Sequence, residues 1–329
     1  MNNIKKIGVS ALAGSLAVCS ANAADVSVTG SLAVTYTNQH SSETVGNPMG
    51  MDNEFNFNIS GELDNGYAVS YFMGMGEQAG GMDSAKLSVN MGDLGTIAFD
   101  QGSGSGLANY DDMTPSANEE VWDGLDTSAS GLTSRLGSSG RFQYVNTFDA
   151  VKIDAAYGPG SATNSADGAT SGSGEGGGYS IGLVIDGSAM GMDGLTFGGG
   201  YGETEAGANV DDQEDTAIFA KYAMGSVTVG FQRNELTGGA VGATEQKADI
   251  YSIAFNVNEN FAISYGEKNT DFESSTTATV EEEVHGVGFS YTMGSMKIAG
   301  NRNEGKNLNG STAITAEDVD TEIKLSFAF

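Results

Sequence analysis

The last eleven residues, Val319 to Phe329, alternate strictly between apolar and polar side chains. This period-two alternation predicts a β-strand with one apolar and one polar face. The strand runs into the chain terminus without a turn, where an exposed strand edge would invite aggregation. A strand that closes a membrane barrel avoids this, because its apolar face meets lipid and its edge pairs with the first strand. The chain end therefore predicts a transmembrane β-barrel.

The first residues have the organisation of a secretory signal peptide. Lys5 and Lys6 precede an apolar run that is too short to span a bilayer, and the tripeptide ending at Ala23 supplies the small residues that signal peptidase requires. We expect residues 1–23 to be cleaved, leaving 24–329 as one barrel domain. The single cysteine lies in the leader, so the secreted chain is expected to use neither disulfides nor thiol chemistry.

The charge of the chain makes nucleic acid an implausible partner. The formal net charge is −29, and loss of the two leader lysines leaves 12 basic against 43 acidic residues, or −31. A phosphate backbone would be repelled by such a protein. Glycine is abundant and proline rare, with 49 and 3 residues, but the ordered alternation argues against disorder.

The alternation recurs along the chain and predicts an all-β fold, a transmembrane antiparallel up-and-down barrel of about sixteen strands. An even count agrees with single-chain bacterial barrels, and this size leaves an aqueous lumen. The predicted strands are 25–37, 54–63, 67–75, 84–91, 96–100, 141–148, 151–157, 179–185, 195–201, 216–223, 227–233, 249–257, 261–267, 284–292, 296–301 and 319–329.

Connections between the strands are alternately tight and long. The tight ones hold turn residues such as Asp64-Asn65-Gly66 and are expected on the periplasmic side. The long ones are rich in small and polar residues, as external loops should be. We predict these loops at about 38–53, 76–83, 101–140, 158–178, 202–214, 234–248, 268–283 and 302–318.

The third long loop combines carboxylates with apolar side chains. Trp122 and Leu125 would be exposed without purpose on a solvated loop, so we predict that the loop folds into the lumen and narrows it. The alternative is a disordered acidic surface loop. The carboxylates expected at the constriction are Asp111, Asp112, Glu119, Glu120, Asp123 and Asp126.

Basic residues on the polar face of the strands are candidates for the opposing wall. Facing acidic and basic groups would create a transverse field across the passage, and fixed charge in a pore sets ion selectivity. The strand alternation places on the inner face Lys86, Arg141, Lys152, Lys221, Lys297 and Lys324.

With these features the chain resembles the Gram-negative general porin family over nearly all of its secreted length. The resemblance rests on the leader ending at Ala23, the opening strand beginning at Ala24, the strand count, the long third loop and terminal Phe329. It implies a trimeric sixteen-stranded barrel in the outer membrane, in contact with lipopolysaccharide, whose third loop folds inward. It also implies that Phe329 is read by the barrel-assembly machinery.

Two features depart from the family pattern. Enterobacterial members carry Pro-Glu-Phe in the third loop, whereas Pro115 here is followed by Ser116-Ala117-Asn118-Glu119. The constriction carboxylates therefore cannot be assigned by motif. The second loop, which latches onto a neighbouring subunit in some members, is short in this chain.

Chemistry other than conduction has little support in the sequence. The only histidines are His40 and His285, and neither falls in a pattern that predicts a catalytic pair. We expect no enzyme activity and no cofactor. Calcium bound by loop carboxylates is a weaker expectation, raised by the runs Asp211-Asp212-Gln213-Glu214-Asp215 and Glu281-Glu282-Glu283.

The sequence therefore favours a cation-preferring pore through which ions and small hydrophilic solutes diffuse passively. Two alternatives stay open. A substrate-specific channel would need a continuous aromatic or basic track along the lumen. A structural or adhesive barrel would have a plugged lumen and no conductance.

Overall fold

The computed structural model describes residues 25–38, 47–76, 81–127, 139–160, 177–205, 211–239, 245–273, 279–313 and 316–329. The expected signal peptide and His40 lie outside these residues. Among the helices in the described ranges, none is long and apolar enough to cross a membrane.

Sixteen antiparallel strands form a closed barrel in which each strand pairs with its neighbours in sequence, as predicted. The strands are β1 Asp25–Asn38, β2 Met49–Glu62, β3 Ala68–Gly76, β4 Met82–Asn90, β5 Thr96–Gln101, β6 Ser139–Phe148, β7 Val151–Gly158, β8 Gly178–Asp186, β9 Leu195–Thr204, β10 Asp211–Met224, β11 Val227–Gly239, β12 Glu245–Asn256, β13 Phe261–Glu273, β14 Val280–Met293, β15 Met296–Lys306 and β16 Asp318–Ala328.

The last strand closes the barrel against the first. β16 pairs with β1 from Ser31 opposite Ala328 to Asn38 opposite Thr321. Phe329 extends the ladder, since its N–H donates to the Gly30 carbonyl at 2.9 Å and its carbonyl accepts from the Gly30 N–H at 3.2 Å. The strand edge at the chain end is therefore paired, which removes the aggregation hazard noted above.

The pairing register separates a lipid face from a lumen face. Val34 lies opposite Leu325 on the outer face, and Thr35 lies opposite Lys324 on the inner face. Because the period is two, every strand repeats this separation. Large apolar side chains exposed on the outer face include Val26, Val28, Ile59, Leu87, Ile97, Ile181, Ile218, Ile253, Val287 and Ile323.

Several strands extend further toward the external side than the sequence pattern predicted. β10 begins at Asp211, β13 continues to Glu273 and β14 begins at Val280. Their outer ends carry polar side chains on the face away from the lumen, and apolar ones such as Phe272 and Val284 lie on the lumen face, so the alternation typical of the lipid-facing band stops before the strand does. The acidic runs 211–215 and 281–283 therefore lie within strands, and their assignment to loops was wrong.

Candidate pore constriction

Residues 102–127, the described part of the connection between β5 and β6, lie along the inner face of the barrel, and we call them the inner loop. At its start the Gly106 N–H donates to Asp154 Oδ1 on β7 at 2.8 Å, and the Leu107 N–H donates to Ser180 Oγ on β8 at 3.0 Å. These wall side chains satisfy backbone groups that would otherwise be buried without partners.

The same pattern continues along the middle of the inner loop. Gln232 on β11 accepts from the Met113 N–H at 2.7 Å and donates to the Tyr110 carbonyl at 2.7 Å. Ser252 on β12 donates to the Pro115 carbonyl at 2.8 Å. The loop thus moves from strand to strand around the wall.

The far end of the inner loop reaches the closing strands. Asn303 on β15 donates to the Glu120 carbonyl at 3.1 Å and to the Asp123 carbonyl at 2.8 Å. Asp318 on β16 accepts from the Asp126 N–H at 3.0 Å. Between Gly106 and Asp126 the hydrogen bonds therefore run from β7 round to β16.

Apolar packing holds the start of the inner loop in a groove lined by glycine. Leu107 and Tyr110 are almost fully buried, and the Tyr110 ring stacks on Phe219, with centroids 6.1 Å apart. A Cβ at Gly200 would lie 2.6 Å from Leu107 Cδ1, and one at Gly182 would overlap the Tyr110 ring. This packing explains why an aromatic residue, Phe219, occurs on the lumen face.

A second apolar cluster holds the far end. Leu125 is buried with Val284 of β14, and with Leu308 and Ala316 of the connection between β15 and β16. Trp122 packs against the same cluster. The side chains that the sequence marked as apolar anchors are thus covered by the wall.

Four of the six loop carboxylates are half-buried. Glu119, Glu120 and Asp123 follow one another closely, and Asp112 lies close enough to Glu120 to hydrogen-bond with it. The other two, Asp111 and Asp126, are exposed. The inner loop therefore brings one compact carboxylate group together in the lumen.

Burial and like charge disturb the ionisation of two members of this group. Burial, a hydrogen bond with Glu120, and the charges of Glu120 and Asp111 together raise the pKa of Asp112 to about 8, against a smaller opposing effect of Lys221. Burial and the neighbouring charges of Glu119, Glu322 and Glu120 raise the pKa of Asp123 to about 6.

The six predicted wall bases all lie on the inner face, yet they do not gather opposite the inner loop. Lys86 donates to the Gly104 carbonyl at 2.6 Å and to Gln143 Oε1 at 3.1 Å, and its ammonium lies 3.7 Å from Asp100. Arg141 is buried and pairs in register with Asp100. Lys86 and Arg141 therefore lie where the inner loop leaves β5, and not across the lumen from it.

The other four bases are spread around the barrel. Lys152 is exposed near the start of β7, and Lys221 lies on β10 close enough to act on Asp112. Lys297 approaches Asn118 at 3.4 Å. Lys324 lies 3.6 Å from Asp52 of β2. These four bases therefore do not form one basic wall that faces the acidic loop, and a transverse field across the passage stays a prediction.

The wall next to the barrel seam adds further carboxylates. Asp52 and Glu54 of β2 lie on the inner face and are exposed to the lumen. Glu322 of β16 also faces inward, close enough to Asp123 for their charges to interact. The passage therefore has carboxylates on the loop side and on the strand side.

Sequence reasoning missed the wall residues that hold the inner loop. Lys268 and Glu282 form a fully buried ion pair under the loop, and Asp154 accepts from three side-chain and backbone donors. Continuing the alternation of β13 past Tyr265 would have placed Lys268 inward. The partners of Asp154 carried no comparable signal, since they lie far away in sequence.

The described residues contain no group of three or more histidine, cysteine or acidic side chains arranged to hold a metal ion. Glu282 faces inward while Glu281 and Glu283 face outward, so these three do not converge. Calcium binding at external carboxylates stays a prediction.

Comparisons with known proteins agree with this architecture. A family profile described as Gram-negative porin matches residues 8–322. Among curated proteins, no sequence matches significantly. OmpT of Vibrio cholerae, folded in vitro, superposes with a TM-score of 0.63 at 13% identity, covering 93% of this chain and 98% of that chain.

Two further solved structures are similar. A trimer form of Vibrio cholerae OmpT has a TM-score of 0.62 at 15% identity, covering 93% of this chain and 100% of that chain. A mutant of Rh. blastica porin has a TM-score of 0.61 at 12% identity, with coverages of 93% and 100%. These identities establish a shared fold, and the family match spans most of the sequence. The chain belongs to the Gram-negative porin family, whose members are outer-membrane channels for passive diffusion and not enzymes.

Proposed function

We propose that this porin prefers cations. The observation that carries the proposal is the presence of carboxylates on both sides of the passage: Glu119 and Asp123 on the inner loop, and Asp52, Glu54 and Glu322 on the strands. Fixed negative charge that lines a water-filled pore raises the local concentration of cations and lowers that of anions.

The basic groups do not cancel this field. Lys86 and Arg141 lie beside Asp100, and the Lys324 ammonium lies beside Asp52. Lys86 and Arg141 thus share one carboxylate at the root of the loop, and Lys324 offsets Asp52. The excess negative charge of the passage therefore rests on Glu119 and Asp123 of the loop and on Glu54 and Glu322 of the strands.

Permeation of size-matched solutes tests this proposal. In proteoliposome swelling assays we expect lysine to enter faster than glutamate. The double variant Glu119→Gln/Asp123→Asn should reduce that difference, because it removes two fixed charges from the passage. Equal rates for the two solutes in the wild-type channel would contradict the cation preference.

A matched control separates charge in the passage from charge elsewhere. Asp93 and Asp193 are exposed in the tight turns after β4 and β8, outside the constriction. Asp93→Asn/Asp193→Asn also removes two negative charges and should leave the lysine-to-glutamate ratio at its wild-type value. Equal effects of the two double variants would place the selectivity in the overall charge of the chain.

We also infer that Phe329 serves assembly and not packing. Its side chain is 78% exposed, while its backbone alone joins the barrel seam. Phe329→Ala should therefore refold in detergent like the wild type but reach the outer membrane of cells in smaller amounts. Equal losses in both settings would show that the ring stabilises the barrel itself.

Assembly as a trimer is the third part of the proposal. It is supported by the family match and by the trimer form of the similar OmpT. Light scattering of the detergent-solubilised protein should give three protein chains per particle. A particle that contains one chain at all concentrations would contradict it.

A further inference from the structure

A buried ion pair lies beneath the far end of the inner loop and takes no part in the cation preference proposed above. Lys268 of β13 and Glu282 of β14 approach to 3.0 Å, between Nζ and Oε1, and both side chains have 0% exposure. Charges taken out of water are costly unless further hydrogen bonds complete their solvation. The hydrogen bonds that the pair makes to other segments therefore indicate its structural role.

The second oxygen of Glu282 binds two segments outside its own strand. Oε2 accepts from Thr127 Oγ1 at the end of the inner loop, at 2.7 Å. It also accepts from the Asn309 N–H at 2.9 Å, in the connection that follows β15. Asn309 in turn donates through Nδ2 to the Asp126 carbonyl at 2.7 Å. One carboxylate thus ties the loop end and an external turn to the wall.

Lys268, the other member of the ion pair, also contacts the inner loop. Its ammonium lies 5.7 Å from the centroid of the Trp122 ring, a distance at which a cation and an aromatic face attract. Trp122 packs against the apolar cluster around Leu125. The pair therefore contacts the inner loop at two points, through Trp122 and through Thr127.

An exposed ion pair on the neighbouring strands differs from the buried pair. Lys247 of β12 and Glu235 of β11 approach to 3.4 Å on the outer face, where their side chains are 41% and 39% exposed. An exposed pair of this kind adds little to stability. It offers a lysine of the same type, on the adjacent strand, that does not touch the inner loop.

We propose that Lys268 and Glu282 are positioning residues that anchor the far end of the inner loop and thereby set the width of the passage. The anchor follows from the contacts alone. The effect on width rests on the proposed function, in which ions pass through the lumen beside the inner loop.

Trp122 is the only tryptophan of the chain, so its fluorescence reports on the anchor directly. In refolded protein, Lys268→Met should shift the emission to longer wavelength and increase quenching by acrylamide, because the loop end leaves its buried site. Thr127→Val, which removes one hydroxyl from the loop, should shift both quantities in the same direction by less. Lys247→Met should match the wild type.

A charge-swapped variant separates the ion pair from the acceptor role of Glu282. Lys268→Glu/Glu282→Lys keeps opposite charges in place but removes the oxygen that accepts from Thr127 and Asn309. We expect Trp122 to be released in this variant too. Wild-type fluorescence in the swapped variant would overturn the role of Glu282 as the acceptor that holds the loop. Wild-type fluorescence in Lys268→Met and Thr127→Val would overturn the anchor altogether.

Planar-bilayer conductance tests the effect on width. Lys268→Met should conduct about twofold more than the wild type and Lys247→Met, because the released segment no longer narrows the lumen. Released Trp122 with unchanged conductance would overturn the part of the proposal that concerns width. A wild-type protein that is folded but silent would instead refute the proposed function, while the fluorescence result still decides the anchor.

Discussion

Single polar side chains on the inner wall determine where the inner loop lies. Asp154, Gln232, Ser252 and Asn303 each use their hydrogen-bonding capacity on loop backbone, so each is removed from the lumen as a contact for solutes. A buried backbone group without a partner costs free energy, and these contacts avoid that cost for the loop groups that they bind. The lumen-facing carboxylates that remain are the ones to which we assign the proposed cation preference.

The first prediction concerns the pH dependence of selectivity. A carboxyl with a raised pKa is neutral below that value, so Asp112 loses its charge as the pH falls through about 8 and Asp123 as it falls through about 6. Cation selectivity, measured as the reversal potential in a KCl gradient, should therefore decrease over this range. Carboxyls with ordinary values would keep their charge until about pH 4.

Substitution separates the two steps. Asp112→Asn should abolish the part of the decrease centred near pH 8 and leave the part near pH 6. Asp111→Asn, at an exposed neighbour, should keep both steps while moving the upper one to lower pH, because a repelling charge is lost. A wild-type reversal potential that stays constant from pH 9 to pH 5 would contradict the ionisation described here.

The second prediction concerns a glycine under the inner loop. A Cβ at Gly266 would lie 2.7 Å from Val121 Cγ1, so Gly266→Ala should push the loop from the wall at a cost of about 1–3 kcal/mol. Gly61 has no atom near its potential Cβ, and Gly61→Ala should be tolerated. The midpoint of urea unfolding compares them, and equal midpoints would show that the loop yields without cost.

Strands were the elements that the sequence predicted best. The alternation of apolar residues located all sixteen of them, because lipid on one side and water on the other impose it wherever the strand crosses the membrane. It failed at the external ends, such as Lys268 to Glu273 of β13, where the outer face is polar and the apolar side chain, Phe272, is buried on the lumen face. There the strand is held by hydrogen bonds to the adjacent strands, and a local sequence pattern does not reveal these.

The path of the inner loop was only partly predictable. Trp122 and Leu125 indicated that the loop packs against something, and both do. The partners, such as Val284 and Leu308, lie far along the chain. The wall glycines that leave room for the loop could not be distinguished in the sequence from the many other glycines of the chain. We expected a basic wall opposite the loop from residue types alone. In the structure, Lys221 and Lys297 instead lie on strands that the loop itself covers.

The third prediction tests the two faces of one strand. Phe57 lies near the middle of β2 on the outer face, opposite Val28 and Met73, while Asn58 faces the lumen. Phe57→Arg should destabilise the folded barrel by about 2–4 kcal/mol, because the charge enters the apolar band. Asn58→Arg should cost far less. Folding titrations in lipid vesicles measure both, and equal costs would contradict the assigned register.

The whole molecule combines a closed barrel with a strongly acidic chain. The formal charge of −29 includes carboxylates outside the passage and carboxylates within it, and the two contributions should respond differently to salt. External charges are screened beyond about 8 Å at physiological ionic strength. Under the proposed cation preference, carboxylates of the constriction would lie close to a permeating ion, so we expect them to keep much of their effect. Cation preference should therefore weaken with rising salt without disappearing.

The reversal potential of the purified wild-type channel across a KCl gradient measures the proposed cation preference itself. With carboxylates on both sides of the passage, we expect a potential of the sign set by potassium, retained at high salt and decreasing with acidification. A potential near zero, or one of the sign set by chloride, would contradict it.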